Sequence, residues 1–385
     1  MDFISSIVIV LIAALIGRSL SKKIRQPTIL GELIVGAFIG NIFLLINKEK
    51  LFFDDSINYL ADIGILFLLF SAGLSLNLKE FKKIETSSTF VATLGVILPF
   101  ILGYVTGLWF GFGHMAALFI GTSLTATSIG VNAEILIELR IMGTKLGSLI
   151  MGTAVVDDII AMIILTILIS IVKTGAIFIW EIGIFLILVL IFLLIAIILS
   201  KEKISLFLDS NLEKIKIRRE NLLIVGIIVA LTFSFFAESI GLSIIIGAFI
   251  AGIILGQLNF FRSLQDYVSL VGGGFFIPIF FVTVGMSFNF NAFLEIGLFA
   301  SLLLIAAIVG KLIGCGLGAK ITGFNNRDSL AAGVAMIPRA GIELVLVRLG
   351  LEYEIINEEI ASAILVMVII TTLITPTALI KVLRK

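Results

Sequence analysis

Two adjacent carboxylates, Asp157 and Asp158, stand inside the uninterrupted apolar run Met151-Gly-Thr153-Ala-Val-Val-Asp157-Asp158-Ile-Ile. A charge at the middle of a bilayer costs ~2.5–3.5 kcal/mol even on insertion-based scales. Two neighbouring carboxylates also repel one another. A structural ion pair needs one acid, not two, so this arrangement survives only where partners compensate it or where it is used. Carboxylates bind protons and hard cations, and either cargo neutralises a charge. The natural partner is Lys311, in the middle of Ala306-Ala-Ile-Val-Gly310-Lys311-Leu-Ile-Gly314-Cys-Gly316-Leu-Gly318. The glycines allow close helix approach, and about ten apolar or small residues on either side place the amine too deep to snorkel. Two further polar stretches stand in apolar segments. One is Gly121-Thr-Ser-Leu-Thr125-Ala-Thr127-Ser128-Ile-Gly130; the other is Gly333-Val-Ala-Met-Ile-Pro338-Arg339-Ala-Gly341-Ile-Glu343. Arg339 and Glu343 are four residues apart and are expected to pair if the turn stays helical. Their role reads as structural, because arginine does not release its proton. Cys315, one turn after Lys311, reads as a packing residue, Glu32 as interfacial and His114 as solvated.

Composition says what must position these groups. Of 385 residues, 60% are hydrophobic and 14% charged, more apolar surface than a soluble domain of this size can bury. A bilayer accepts it, at about 20 predominantly apolar residues per span. Thirteen apolar segments are legible, near 3–20, 27–47, 58–78, 87–110, 115–135, 144–171, 177–200, 221–238, 241–258, 267–288, 296–319, 328–349 and 358–380. They are continuous rather than alternating, which favours helices over barrel strands. One cysteine and one histidine argue against a disulfide framework or a thiolate- or imidazole-ligated metal. No cofactor and no enzymatic activity are expected. A net charge of +1 indicates no nucleic-acid partner. The lipid bilayer is the expected surrounding.

Lys and Arg set the orientation. With the N-terminus outside, 21 of the 27 fall on the inside, in loops and in the C-terminal tail; Lys48, Lys50, Lys173 and Arg348 fall outside, and Lys311 and Arg339 lie within segments. A miscounted span would scramble this bias. The expectation is a multi-pass cell-membrane protein with its C-terminus in the cytoplasm.

The halves are related. Gly31-Glu-Leu-Ile-Val-Gly36-Ala-Phe-Ile-Gly40 matches Gly247-Ala-Phe-Ile-Ala-Gly252-Ile-Ile-Leu-Gly256, 216 residues on. Phe70-Ser-Ala-Gly73-Leu-Ser-Leu-Asn77 matches Val282-Thr-Val-Gly285-Met-Ser-Phe-Asn289, 212 residues on. Small-residue spacing by itself is ordinary helix packing; two matches at nearly one offset indicate an internal repeat. Segments 1–6 plus a connecting seventh (1–200), a basic cytoplasmic linker (201–220) and segments 8–13 (221–385) follow. Six helices plus one connector invert the second copy, as in transporters whose site lies at the midplane between discontinuous helices. The predicted breaks are the polar stretches of segments 5 and 12, where Pro338 removes a backbone donor.

These residues resemble the cation:proton antiporter superfamily, in particular its second family, with NapA-type sodium/proton antiporters and Kef-type potassium efflux proteins. Gln26-Pro-Thr-Ile-Leu-Gly31-Glu-Leu is similar to that family's opening signature. Thr125-Ala-Thr-Ser, Asp157-Asp158, Val309-Gly-Lys311, Met336-Ile-Pro-Arg339 and Thr371-Thr-Leu-Ile-Thr-Pro376 are similar to its later ones. One departure is that the family usually reads Arg-Gly-Glu after the proline, whereas here the acid, Glu343, stands two places later. The resemblance implies the sodium/proton antiporter fold and a homodimer. It implies Asp158 as principal sodium or lithium ligand and proton carrier, with Thr125 and Thr127 oxygens nearby, and Asp157 paired with Lys311. Members with two acids and this lysine are mostly electrogenic. A Kef-like potassium/proton exchanger is the first alternative; it calls for a long C-terminal nucleotide-binding domain, and none is expected here. A sodium-coupled solute symporter of the same fold is the second, though it does not call for two acids and a lysine. An intramembrane aspartyl protease needs carboxylates converging from separate helices, whereas these are ~100° apart on one.

Overall fold

The computed structural model describes residues 3–24, 26–45, 55–76, 83–174, 179–199, 219–258, 263–286, 297–339, 343, 346–347, 350–351 and 353–384. Most of the linker (201–218), Asn77, Asn289, Ala340, Gly341, Ile342 and the loop and tail cations Arg25, Lys48, Lys50, Lys79, Lys82, Arg262, Arg348 and Lys385 lie outside the described residues. Among the described residues all regular structure is helical. In chain order the helices are α1 (Phe3–Lys23), α2 (Thr28–Leu45), α3 (Asp55–Leu74), α4 (Glu85–Trp109), α5 (His114–Ser123), α6 (Ile129–Glu138), α7 (Lys145–Thr174) and α8 (Ile179–Leu199). After the linker come α9 (Arg219–Ser239), α10 (Ile244–Gly256), α11 (Leu264–Met286), α12 (Leu298–Ile321), α13 (Asn326–Ala335) and α14 (Glu358–Arg384). Each of the thirteen apolar segments carries helix, and segment 5 is split into α5 and α6.

Local chemistry sets several ends. Ser243 and Asn325 cap α10 and α13 by accepting from Ile245 and Asp328 N–H groups, the usual use of Ser and Asn at an N-cap. Gly323 closes α12 at φ +91°, a backbone region open to glycine at little cost. In α11 the run Gly272–Phe276 forms one π turn.

Packing divides the helices into two bundles. The scaffold holds α1, α2, α3, α9, α10 and α11 and the core holds α4, α5, α7 and α12 to α14; α6 packs on α2 and α3 as well as on α7 and α14, and its first end is bonded into the core through Ser128 and Pro338. Each bundle draws on both halves of the chain. Apolar side chains such as Ile12 and Leu15 of α1 and Leu190 and Leu194 of α8 face outward, where lipid covers them. With no hydrophobic drive between helices in lipid, close contact comes from small residues, and the repeated glycines supply it. A Cβ on Gly36 or Gly40 would strike the backbone of α11 at Val282 or Met286, and one on Gly252 would strike α3 at Phe70. Thus the first copy of each motif packs on the second copy of the other, as a two-fold relation requires. The contact of Gly31 with Gly17 reappears 216 residues on as that of Gly247 with Phe233.

Candidate functional site

The site is built where the breaks of the two halves cross in the core. Leu124 ends α5 and Ser128 starts α6, its hydroxyl accepting from the Val131 N–H. In the second half α13 ends at Ala335, and residues 337–339 are not helical. Buried backbone groups need partners, and each break supplies the other's. The Ser128 N–H donates to the Pro338 carbonyl at 2.8 Å. The Arg339 guanidinium donates to the Ala126 carbonyl. The Thr127 hydroxyl lies 3.3 Å from the Met336 carbonyl and also within hydrogen-bonding reach of Asp157. Thr125 donates to the Thr122 carbonyl at 2.7 Å, which leaves its oxygen lone pairs in the break. The positive end of α6 and the negative ends of α5 and α13 converge here.

Asp157 and Asp158 are on α7 and Lys311 is on α12. Lys311 Nζ lies 2.7 Å from Asp157 Oδ1 and 2.9 Å from Oδ2, a two-point contact with both side chains fully buried. Asp158 is differently placed. It is 7% exposed, and among the described residues nothing hydrogen-bonds its carboxylate. The charged groups near enough to act on it are Asp157, Glu343 and Lys311. One acid is therefore neutralised by an amine, and the other has no fixed counter-ion among the described residues.

Helix α4 sets this spacing. Gly310 of α12 rests on Pro99, Gly314 on the Leu94 carbonyl and Gly318 on Val91. Gly95 faces Cys315 and Lys311: a Cβ there would strike the Cys315 sulfur and come within 3.9 Å of Lys311 Nζ. Overpacking a close-fitted core costs about 1–3 kcal/mol. Gly95→Ala is accordingly expected to lower the melting temperature of the purified protein. Cys315→Ala in the same chain removes the struck sulfur and is expected to restore most of the loss; no recovery would mean that the sulfur is not the obstacle.

Two residues stand otherwise than their sequence neighbourhood suggests. Arg339 and Glu343 are both buried, but they do not pair: Arg339 Nε and Nη2 and Glu343 Oε1 have no partner among the described residues. The backbone at Arg339 is not helical, so a four-residue separation does not bring the two to one face. Glu32 is buried within the protein, with Arg18 Nε 2.5 Å from its carboxylate. The glycine contact between α1 and α2 brings Arg18 to it. His114 is exposed and shares a hydrogen bond with the Tyr104 hydroxyl at 2.8 Å.

Thr372, which the sequence offered only within the Thr371–Pro376 signature and with no role, is also a site residue. Its hydroxyl reaches the Arg339 carbonyl at 2.6 Å and its own helix at Val368 O, 2.7 Å. Its signal was the Thr371-Thr372 pair inside an apolar segment. Thr372 also lines a narrow cleft between the bundles with Leu33, Ala37 and Gly285.

Two related halves, crossed broken helices and buried ionisable groups beside them define a polytopic membrane transporter of the inverted-repeat kind. The chain belongs to the transmembrane sodium/hydrogen exchanger family, which matches residues 7–385. It is 34% identical over 376 residues to the Na(+)/H(+) antiporter of Enterococcus hirae, covering 98% of this chain and 97% of that one. It is 33% identical to the Na(+)/H(+)-K(+) antiporter GerN of Bacillus cereus, over 97% of this chain and 95% of that one. The sodium proton antiporter MjNhaP1 of Methanocaldococcus jannaschii, at 15% identity, has the same fold, with a TM-score of 0.63 over 100% of this chain and 99% of that one.

Proposed function

We propose that this protein exchanges sodium, or lithium, for protons across the cell membrane, with Asp158 as the shared site. The observation that carries the reading is the two-point contact of Lys311 with Asp157, which leaves Asp158 without a counter-ion among the described residues. A hard monovalent cation prefers oxygen, and the Asp158 carboxylate, Thr125 and Thr127 oxygens, carbonyls of the two breaks and water supply it. Proton and cation compete for one negative charge: protonated Asp158 releases the cation, and an arriving cation displaces the proton. Lys311 is the second proton store. When a cation draws Asp157 toward itself, the amine loses its counter-ion and gives up a proton, so that more than one proton moves per cation and the exchange is electrogenic. Arg339, Pro338 and Glu343 keep the second break in shape. The names of the relatives and the shared fold support the antiport reading. The excess of Lys and Arg supports an N-terminus outside and a C-terminus inside. Family resemblance supports a homodimer.

Potassium is the second reading, on the strength of the GerN relative's name. Purified protein in liposomes, given an imposed pH gradient with sodium, lithium or potassium outside, separates the two. The expected result is gradient collapse with sodium and lithium, at a rate that responds to membrane potential. Collapse with potassium alone would replace sodium by potassium, and no cation-dependent collapse would sink the antiport reading.

A further inference from the structure

Exposing a midplane site to alternate sides requires one bundle to move against the other, so polar contacts between bundles are where that movement must act. Glu138, the last residue of α6, accepts through one oxygen from both the backbone N–H and the hydroxyl of Thr28, at 2.9 and 3.0 Å. Thr28 is the first residue of α2 in the scaffold. The contacts of Arg18 with Glu32 and the Gly273 carbonyl, and of Gln265 with Ser71, stay within the scaffold. Those of Lys311 with Asp157, Ser128 with Pro338, Arg339 with Ala126 and Thr372 with Arg339 stay within the core. The Glu138–Thr28 bridge ties the scaffold to the last residue of a helix whose first end is bonded into the core.

Its chemistry suits a contact that forms and breaks. The first N–H groups of a helix have no partner inside the helix and carry the positive end of its dipole. A carboxylate brought from another helix satisfies them, and because Glu138 is exposed, water replaces either partner when they part. The bridge is also tied to the site. Helix α6 is a rod of ten residues, about 15 Å long at 1.5 Å per residue. At its far end Ser128 is held to Pro338, beside Thr127 and Asp157. One turn before Glu138, Glu134 lies within electrostatic reach of Glu32, Glu138 and Arg18. Arg18 in turn grips Glu32 and, at 2.8 Å, the carbonyl of Gly273 in the π turn. The scaffold side of the bridge is thus anchored, while the other side is the end of a rod that starts at the site.

We propose that the Glu138–Thr28 bridge is a latch of the transport cycle, made in one exposure state and broken in the other, on the face that the Lys/Arg bias puts inside. It rests on the antiport reading above, and the test keeps the two apart. In liposomes, the Thr28→Cys/Glu138→Cys variant is joined with a short bis-methanethiosulfonate reagent; the native Cys315 is buried and stays in place. Sodium/proton exchange is expected to fall to the level of protein-free vesicles and to return on reduction, while single-cysteine variants treated alike keep their rate. A joined chain that exchanges at the untreated rate, or a reagent that cannot join the two positions, overturns the latch. If the double variant is inactive before treatment, Glu138→Ala decides. Losing a contact made in one state shifts the populations of both, so apparent sodium affinities measured from the two sides are expected to move in opposite directions; no movement in either overturns the proposal. Exchange by the unmodified chain is the control: its failure sinks the antiport reading, whereas exchange there and in the joined chain sinks the latch alone.

Discussion

Asp158→Asn is expected to abolish sodium/proton exchange while leaving the protein at least as stable as the parent. The two halves of this outcome have one cause. Asp158 is nearly buried, receives no hydrogen bond from the described residues and sits beside two further acids, Asp157 and Glu343. An ionised carboxylate so placed costs stability, by up to ~2.5–3.5 kcal/mol for a charge at mid-membrane. Asparagine keeps the shape, loses the charge and cannot carry a proton between sides, so the cost goes and the competition goes with it. Melting temperature in detergent and cation-driven gradient collapse in liposomes read the two separately. Full exchange in this variant would remove Asp158 from the mechanism. Lost exchange with a strongly lowered melting temperature would make its role structural.

Lys311→Gln is expected to do the reverse to stability. Lys311 and Asp157 are both fully buried and bonded at two points. Removing one partner of a buried pair leaves an uncompensated charge, typically at a cost of ~3–5 kcal/mol. Replacing both partners by neutral groups of similar shape is far milder, so Asp157→Asn added to Lys311→Gln is expected to recover most of the lost melting temperature. Function divides the two explanations of the pair. If Lys311 is a second proton store, the recovered double variant still exchanges, through Asp158, but the rate no longer responds to membrane potential as the parent's does. An unchanged response would take Lys311 out of the proton count and leave the pair a purely structural one.

Much of the site was legible in the sequence because a bilayer makes certain residues conspicuous. Asp157, Asp158, Lys311 and Arg339 stand out in runs that otherwise carry almost no charge, and Pro338 interrupts a helix visibly. The glycine motifs were legible for a related reason: in lipid, close helix contacts need small residues, so the contacts leave a spacing that repeats when the fold repeats. Arg339 and Glu343 mark where this reading ends. A four-residue interval implies contact only on an intact helix, and the same proline that announced the break also separated the pair.

What the sequence by itself determined about this protein is a chain of membrane helices in two related halves, with its ionisable groups at membrane depth, since hydropathy, charge bias and small-residue spacing are local properties that survive without coordinates. The tertiary structure decided which groups meet: it put Asp157 on Lys311, a pairing that only family resemblance had implied, and it alone put Arg18 on Glu32, Thr372 on the Arg339 carbonyl and Glu138 on Thr28. The reason is physical. Each of these contacts joins separate helices, and its geometry is set by where glycines let backbones approach and by which orphaned backbone groups at the two breaks need a partner, and neither is written in the spacing along one helix.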